Sequence, residues 1–228
     1  MARRAAPAAP PERTDAGERR VPVQARSRKR YDAILDAAAE VFAEGGFEVA
    51  TVEAIAERAA TSIGSVYQFF PNKVALFDAV AERCLVRSRE AFDRLFDAVP
   101  ESTPWPVLID AAVDAFAALH ASDPAFRATV VNVAQYPLYQ ERDDALTRYM
   151  VGRVAEMIGA RAPHVDARRA KLLALVLVQI IASMMFVAER SAPPLRAALR
   201  EELKSVARRY LEPEVDAPPP RRKSLRRA

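Results

Sequence analysis

A predicted helix over residues 62–71 carries the residues with the clearest chemical purpose. Ser62 can cap its N-terminus, and Pro71 ends it. Its buried face is apolar and consists of Ile63, Val66 and Phe70. Its exposed face is small and polar and consists of Gly64, Ser65 and Gln68. Because small polar side chains at the start of a helix can enter the major groove and hydrogen-bond to base edges or phosphates, this pattern indicates a DNA-recognition helix.

Two further predicted helices position this one. The first covers residues 28–44 and stops at the Gly45–Gly46 pair, and the second starts at Thr51, a good N-cap. A tight turn at residues 60–62 joins the second and third helices, which makes a helix-turn-helix in outline. Short helical pairs are common, so the outline alone is a weak signal of function.

Residues 51–76 resemble the signature of the tetracycline-repressor (TetR) family, whose pattern is T-x-x-x-I-A-x-x-A-G-V-S-x-G-T-L-Y-x-Y-F-x-[SN]-K-x-x-L. The sequence matches that pattern at Thr51, Ile55, Ala56, Ala59, Ser62, Gly64, Tyr67, Phe70, Asn72, Lys73 and Leu76. Ala60 and Thr61 stand where the family has glycine and valine, which predicts a tighter or differently angled turn. The resemblance is strong over residues 28–77, and beyond them only chain length and helix count agree.

The resemblance implies DNA contacts for the matching positions, with the third helix in the major groove and Thr51, Tyr67 and Lys73 on the DNA backbone. Together with two residues at the start of the first helix, the predicted DNA-binding residues are Arg28, Lys29, Thr51, Ser62, Ile63, Gly64, Ser65, Tyr67, Gln68 and Lys73. Lys73 has a second argument, because the macrodipole disfavours a cation at a helix N-terminus and a DNA phosphate would reverse that penalty. The alternatives are a solvated surface lysine at position 73 and a core aromatic at Tyr67.

Charge is distributed unevenly along the chain, whose formal net charge is +4. Residues 31–76 carry seven acidic and two basic side chains, a balance that would repel DNA. Residues 1–30 carry nine basic and three acidic ones. Since phosphate contacts supply much of the affinity for DNA, we expect these contacts to come from Arg26, Arg28, Lys29 and Arg30. The alternative is that this segment is a solubilising tail.

The remaining helices are predicted at residues 72–99, 106–122, 124–134, 142–162, 166–190 and 194–211. The predicted fold is therefore all-α, with a helix-turn-helix DNA-binding domain at 27–73 and a helical effector-binding and dimerisation domain at 74–211. Residues 1–26 and 212–228 are rich in proline and charge. They cannot bury enough apolar area to fold, so they are predicted to be a disordered basic arm and a disordered basic tail.

For the C-terminal domain, the resemblance implies an effector pocket enclosed by the fifth to eighth helices and a homodimer formed by the last two. Residues 172–188 are an apolar run broken only by Gln179 and Ser183. We interpret this run as a helix buried on all sides, with a dimer partner covering one of them. The pocket candidates are Trp105, Phe116, Phe126, Tyr149, Gln179 and Met184, and further pocket or core candidates are Tyr136, Tyr139 and Met185. Gln179 and Ser183 either orient a ligand or pair across the dimer.

The composition of the chain argues against several other kinds of site. The chain contains neither GxGxxG nor GxxxxGK[ST], the motifs of nucleotide sites built on glycine-rich loops. A single cysteine, Cys84, rules out an intrachain disulfide. His120 and His164 are far apart, are predicted to be surface or capping residues, and leave little material for a metal or catalytic centre. We therefore expect no cofactor, no metal and no catalytic residues.

The leading interpretation is a cytoplasmic transcriptional regulator, most often a repressor in this family. It would bind a palindromic operator in double-stranded DNA as a homodimer and respond to a small, apolar effector. No secretory signal is evident and the apolar run is short for a bilayer, so no membrane partner is expected. One alternative is a ligand-independent nucleoid or division-control factor, which a bundle without a cavity would favour. Another is an enzyme, which would need two titratable groups close together in a pocket.

Overall fold

The computed structural model describes residues 22–100, 102–132, 137 and 139–215. Within these ranges the chain forms nine helices and no strand, which confirms the predicted all-α fold. The helices are α1 (Ala25–Val49), α2 (Val52–Arg58), α3 (Ile63–Phe69), α4 (Lys73–Ala98), α5 (Trp105–Ser122), α6 (Pro124–Val131), α7 (Gln140–Arg161), α8 (Ala167–Glu189) and α9 (Pro193–Val215). The largest differences from the predicted boundaries are at the ends of α1 and α9.

The helical backbone of α1 is interrupted at Gly46, within the glycine pair where the sequence predicts the helix to end. It continues across a kink at Gly46, whose φ of 77° and ψ of 167° are conformations that glycine adopts readily. The side chain of Asn132, at the end of α6, accepts the amide of Phe47 at 2.5 Å and donates to the carbonyl oxygen of Phe42 at 3.1 Å. This buried side chain satisfies the backbone amide that the kink leaves without a helical partner, and it ties the short segment after the kink to the end of α6.

The helix-turn-helix packs into a first core that joins α1, α2, α3, α4 and α6. Aromatic rings lie at its centre. The ring centroids of Tyr31 and Phe70 stack 4.9 Å apart, and those of Phe42 and Phe77 meet edge-on at 5.3 Å. Because α4 and α6 contribute to this core, α3 packs against the rest of the molecule as well as against α1 and α2.

A second core joins α5, α7, α8 and α9. One face of α8 enters it through Leu173, Ala174 and Leu177, while Leu175 and Val187 on the other face are 43% and 50% exposed. Within one chain α8 is therefore buried on one side only, and its other side lacks the partner that the sequence predicts. Of the described helices, α8 is also the one that is long and apolar enough to cross a membrane, a property that core helices of soluble proteins share.

α9 runs four residues past its predicted end at Leu211, so the prediction of a disordered tail is wrong for residues 212–215. Leu211 and Val215 are both buried, one turn apart. Glu214 is held from the neighbouring helix, because Arg169 Nε donates to its carboxylate at 3.2 Å. These contacts offset the cost of Pro213 inside the helix. The rest of the predicted tail, residues 216–228, and residues 1–21 of the predicted arm lie outside the described residues.

Candidate DNA-binding and effector sites

Two hydroxyl side chains fix the starts of α2 and α3. Thr51 Oγ1 accepts from the amide of Ala54 at 3.1 Å, and Ser62 Oγ accepts from the amide of Ser65 at 3.2 Å. The hydroxyls of Ser62 and Ser65 also lie 2.9 Å apart. Thr51 and Ser62, both predicted to contact DNA, therefore already cap helices, which fixes where α2 and α3 begin.

α3 divides into a buried and an exposed face, although not quite as the sequence predicts. Val66, Phe69 and Phe70 are its buried residues. Ile63 is 41% exposed, which corrects its assignment to the core. Tyr67 is 50% exposed, so the alternative of a core aromatic does not hold. Gly64 and Gln68 are exposed as predicted, whereas Ser65, predicted with them, is half-buried; with Ile63 and Tyr67 the outward face presents an apolar, a glycine, an aromatic and an amide residue in two turns.

The turn between α2 and α3 contains a residue in the left-handed region. Ala60 has a φ of 48°, the one positive φ at a non-glycine residue within the described chain. The family pattern has glycine here, and an alanine in this conformation costs about 1–3 kcal/mol. The turn therefore differs from the family pattern by a strained residue at position 60. Hydrogen bonds from the Ala60 amide to Glu57 and from the Thr61 amide to Ala56 hold it in this conformation.

Arg58, at the end of α2, binds two carboxylates of α1. It donates to Glu44 at 2.8 and 2.9 Å and to Glu40 at 3.1 Å. The hydrogen bonds from Arg58 lower the pKa of Glu44. This arrangement ties α2 to α1. Arg58 is one of the two basic residues among residues 31–76, and its charge is balanced within the chain.

The other base, Lys73, is also engaged. Its Nζ donates to the carbonyl oxygens of Ala50 at 3.0 Å and Glu48 at 3.3 Å, and lies 4.6 Å from the ring centroid of Phe47. These carbonyl groups stand at the end of α1, where a helix is electronegative. The cation at the start of α4 thus has a partner within the chain, in addition to any phosphate.

Four exposed cations lie at the start of α1: Arg26, Arg28, Lys29 and Arg30. The first turn of α1 contains no acidic residue. Cations at a helix N-terminus are disfavoured by the macrodipole, and clustered cations repel one another. A polyanion bound nearby would relieve both effects, which is the electrostatic feature of this surface that points to DNA.

A cavity of about 120 Å³ lies among α4, α5, α7 and α8. Carbon atoms form almost all of its wall, and Ser88 carries the single hydroxyl of the described lining. Its largest lining residues are Phe92, Phe96, Trp105, Phe116, Met150 and Met157. Such a wall can hold an apolar molecule but offers little to orient a charged one.

Two of the six pocket candidates, Trp105 and Phe116, line this cavity, and the other four do not. Phe126 is buried in the first core, with its ring edge-on to Phe116. Tyr149 donates to Asp93 at 2.6 Å, Gln179 is exposed, and Met184 packs in a small cluster with Met185. Tyr136 lies outside the described residues. Phe92 and Phe96 line the cavity but are not among the predicted residues, although their spacing of four residues on one helix was an available signal; their rings stack 4.1 Å apart.

His120 is buried, which corrects its assignment to the surface. Its Nδ1 lies 2.8 Å from a carboxylate oxygen of Glu189, another buried side chain. Burial lowers the pKa of His120, and nearby arginines lower it further, against the opposing effect of Glu189. His164 does act as a cap, because its Nε2 lies 2.8 Å from the carbonyl oxygen of Glu214 near the end of α9.

Both halves of the chain match known protein families. Residues 34–80 match the bacterial regulatory proteins of the tetR family, and residues 104–211 match the Tetracyclin repressor-like, C-terminal domain. The HTH-type transcriptional repressor KstR of Mycobacterium tuberculosis is 36% identical over 78 residues, which are 34% of this chain and 34% of the repressor. The alignment thus spans about a third of that relative. The uncharacterized HTH-type transcriptional regulator YhgD of Bacillus subtilis is 23% identical over 73% of this chain and 87% of its own length.

Solved structures show the same fold over most of the chain. A TetR-family transcriptional regulator from Streptomyces coelicolor is 28% identical, with a TM-score of 0.56, over 81% of this chain and 99% of the other. A transcriptional regulator from Cytophaga hutchinsonii superposes with a TM-score of 0.65 at 18% identity, over 82% of this chain and 98% of the other. The similarity therefore includes the helical bundle as well as the helix-turn-helix.

Proposed function

The chain belongs to the tetR family of bacterial regulatory proteins and is a DNA-binding transcriptional regulator, and from that premise we propose that it is a ligand-responsive repressor. In this proposal a homodimer binds a palindromic operator, and a small apolar effector in the bundle releases it. The protein acts in the cytoplasm, where its DNA is.

The outward face of α3 carries the proposal for DNA. Val66, Phe69 and Phe70 anchor the helix in the core, so its exposed residues keep a fixed position. Gly64 allows close approach to a base pair, and Gln68 can form the paired hydrogen bonds by which an amide reads adenine. Tyr67, with its ring half exposed, can reach a phosphate or a thymine methyl group.

The exposed apolar face of α8 supports the homodimer. Leu172, Leu175 and Val187 lie on it, and Val206 and Leu195 are exposed on α9 alongside. A second copy of the same surface would cover both helices by two-fold symmetry. Two recognition helices related by that symmetry can read half-sites one DNA turn apart, about 34–36 Å. Leu177, at the centre of the run, lines the cavity and belongs to the bundle itself.

The apolar cavity supports a ligand-responsive repressor over the ligand-independent alternative, which a filled bundle would favour. A volume of about 120 Å³ suits a small molecule with few or no polar groups, or a part of a larger one. Because α4 runs from the cavity wall to the end of the helix-turn-helix, directly after α3, a ligand that displaces α4 would move the recognition helix.

Selection of bound duplexes from a random pool with the purified protein tests the DNA half of the proposal. We expect a palindrome to emerge, and Ser65→Ala and Gln68→Ala to relax base preference at one symmetric pair of positions, by about 1–3 kcal/mol for each good contact. Gln140→Ala, an exposed glutamine on α7, is the matched control. If both α3 variants keep the wild-type preference, the recognition surface is assigned wrongly.

The single tryptophan of the chain makes the effector half testable, because Trp105 lines the cavity. Titration with toluene should change its fluorescence and lower affinity for the selected duplex. Ala112→Leu places a larger side chain in the cavity wall and should abolish both responses while leaving DNA affinity intact. A DNA response to toluene that survives Ala112→Leu would place the effector elsewhere.

A further inference from the structure

A second cleft lies where the DNA-binding part meets the bundle. Its volume is about 580 Å³, and its walls come from α1, the end of α5, α6, the end of α8 and the start of α9. It shares no lining residue with the apolar cavity. Its titratable lining residues are Arg127, Arg190, Arg196, Glu189 and His120, and Ala43 and Val130 contribute apolar wall.

The one carboxylate in this cleft is already paired. Glu189 is buried, and Arg200, which lies behind the lining, donates to its Oε1 from Nε at 3.0 Å. His120 Nδ1 stands 2.8 Å from the other oxygen, and Arg196 Nε stands 3.8 Å from it. Glu189 is therefore contacted by three groups, although its Oε2 makes no hydrogen bond within the described residues, and it can balance only part of the positive charge around it.

The three lining arginines have unused capacity for hydrogen bonding. Arg127 donates from Nη1 to the carbonyl oxygen of Ala121 at 2.9 Å, and Arg190 lies 5.7 Å from the ring centroid of Phe186. No carboxylate of the described residues lies within ion-pair distance of either. Arg196 Nε is buried and has no hydrogen-bond partner within the described part of the chain.

We propose that this cleft binds a small molecule carrying a carboxylate or phosphate group. A guanidinium presents paired donors that match the planar edge of such an oxyanion, and three of them converging on one cleft repel each other until an anion is bound. The carbonyl and ring contacts of Arg127 and Arg190 hold these side chains in place, so less freedom is lost on binding. Val130 and Ala43 give room for a short apolar portion of the ligand.

Isothermal titration of the full-length protein without DNA tests the proposal independently of the repressor function. The probes are inorganic phosphate and butyrate at constant ionic strength, with chloride as the reference anion. We expect phosphate, butyrate or both to bind more tightly than chloride, and the stronger of the two identifies the ligand class. Arg127→Gln and Arg190→Gln should each weaken binding by about tenfold, the usual size for one charge-assisted hydrogen bond.

Arg94→Gln is the matched control, because Arg94 is an exposed arginine on α4 away from the cleft. Equal weakening by Arg94→Gln would overturn the proposal, since it would show a general effect of charge. So would failure of both probes to bind better than chloride. If neither probe binds but Arg127→Gln and Arg190→Gln weaken DNA binding at fixed salt, the cleft belongs to the DNA interface and the proposal is wrong.

Discussion

Gly64 has no packing reason to be a glycine. A methyl group added at its Cα would meet no atom within 4 Å, and it lies in the first turn of α3. We expect Gly64→Ala to leave stability unchanged or raise it by about 0.5–1 kcal/mol, because alanine favours the helix. The same variant should weaken DNA binding, since the methyl group would occupy the gap to the base pairs.

Thermal unfolding and fluorescence anisotropy with the selected duplex measure the two effects of Gly64→Ala. Gly159→Ala is the control, because Gly159 lies in α7 with equally open surroundings. It should stabilise the protein to a similar degree and leave DNA affinity alone. Wild-type DNA affinity in Gly64→Ala would mean that α3 does not approach DNA closely at this position.

His120 should make stability depend on pH below neutrality. Its pKa is lowered by burial and by Arg196, Arg127 and Arg200, while the unfolded residue titrates near 6.5. The unfolded state therefore binds more protons in this window, so the stabilisation is complete above about pH 6.5 and is lost as pH falls toward the folded pKa. Urea unfolding between pH 7.5 and 5.5 should show a smaller loss in His120→Gln than in wild type; equal losses would contradict the assignment.

At single positions the sequence predicted exposure well where chemistry and helical spacing agreed, as for Gly64 and Gln68. It failed at Ile63, because helical spacing alone cannot tell that the first residue of a two-turn helix projects beyond its supporting helices. It also failed at His120. The carboxylate beside that imidazole comes from Glu189 on a different helix, and no local pattern announces that pairing.

Ala60 lies in the turn that sets the angle between α2 and α3. Ala60→Gly should stabilise the protein by about 1 kcal/mol, because glycine adopts the φ of 48° without the clash of a Cβ atom. Ala59 is the control: its φ of −77° and ψ of 0° suit alanine, so Ala59→Gly should destabilise. Denaturant midpoints measured on both variants decide the matter. A loss of stability in Ala60→Gly would show that the turn is not strained.

The helix boundaries show where the residues near a helix end are not sufficient to predict it. A glycine pair predicts the end of a helix, and the backbone does leave the helical conformation at Gly46, but a further helical segment follows because the side chain of Asn132 completes the hydrogen bonding at the kink. A proline and a charged sequence predict a tail, yet α9 continues because Arg169 and the second core hold residues 212–215. In both cases the decisive partner is distant in sequence. The helices with strong periodicity and good caps, such as α3 and α8, are predicted almost to the residue.

The whole molecule should be a dimer through α8 and α9. Leu175→Glu places a charge on the exposed face of α8 and should convert the dimer to monomer or aggregate, because burying an unpaired carboxylate is costly. Light scattering at low micromolar concentration should give the mass of two chains for wild type. Val86→Glu, equally exposed on α4, should remain dimeric. A monomeric wild type would refute this arrangement.

DNA affinity should depend on the cations at the start of α1. Arg28→Gln and Lys29→Gln should each flatten the slope of log K against log salt by about 0.9 per subunit and contact. Base preference should survive, because phosphate contacts position a protein without reading sequence. Arg94→Gln should leave the slope unchanged. Wild-type slopes in both α1 variants would leave the solubilising-tail alternative in place.

Arg58 and Lys73 form contacts within the chain, and this affects how long the protein stays on DNA outside its operator. Binding to random DNA is almost wholly electrostatic. Residues 31–76 include the recognition helix α3 and are acidic overall, and both of their basic side chains already make contacts within the chain. Within residues 22–76, the uncommitted cations that can hold the protein on random sequence are then those at the start of α1. Few molecules would be trapped on the many wrong sites, so a small number of copies could keep one operator occupied.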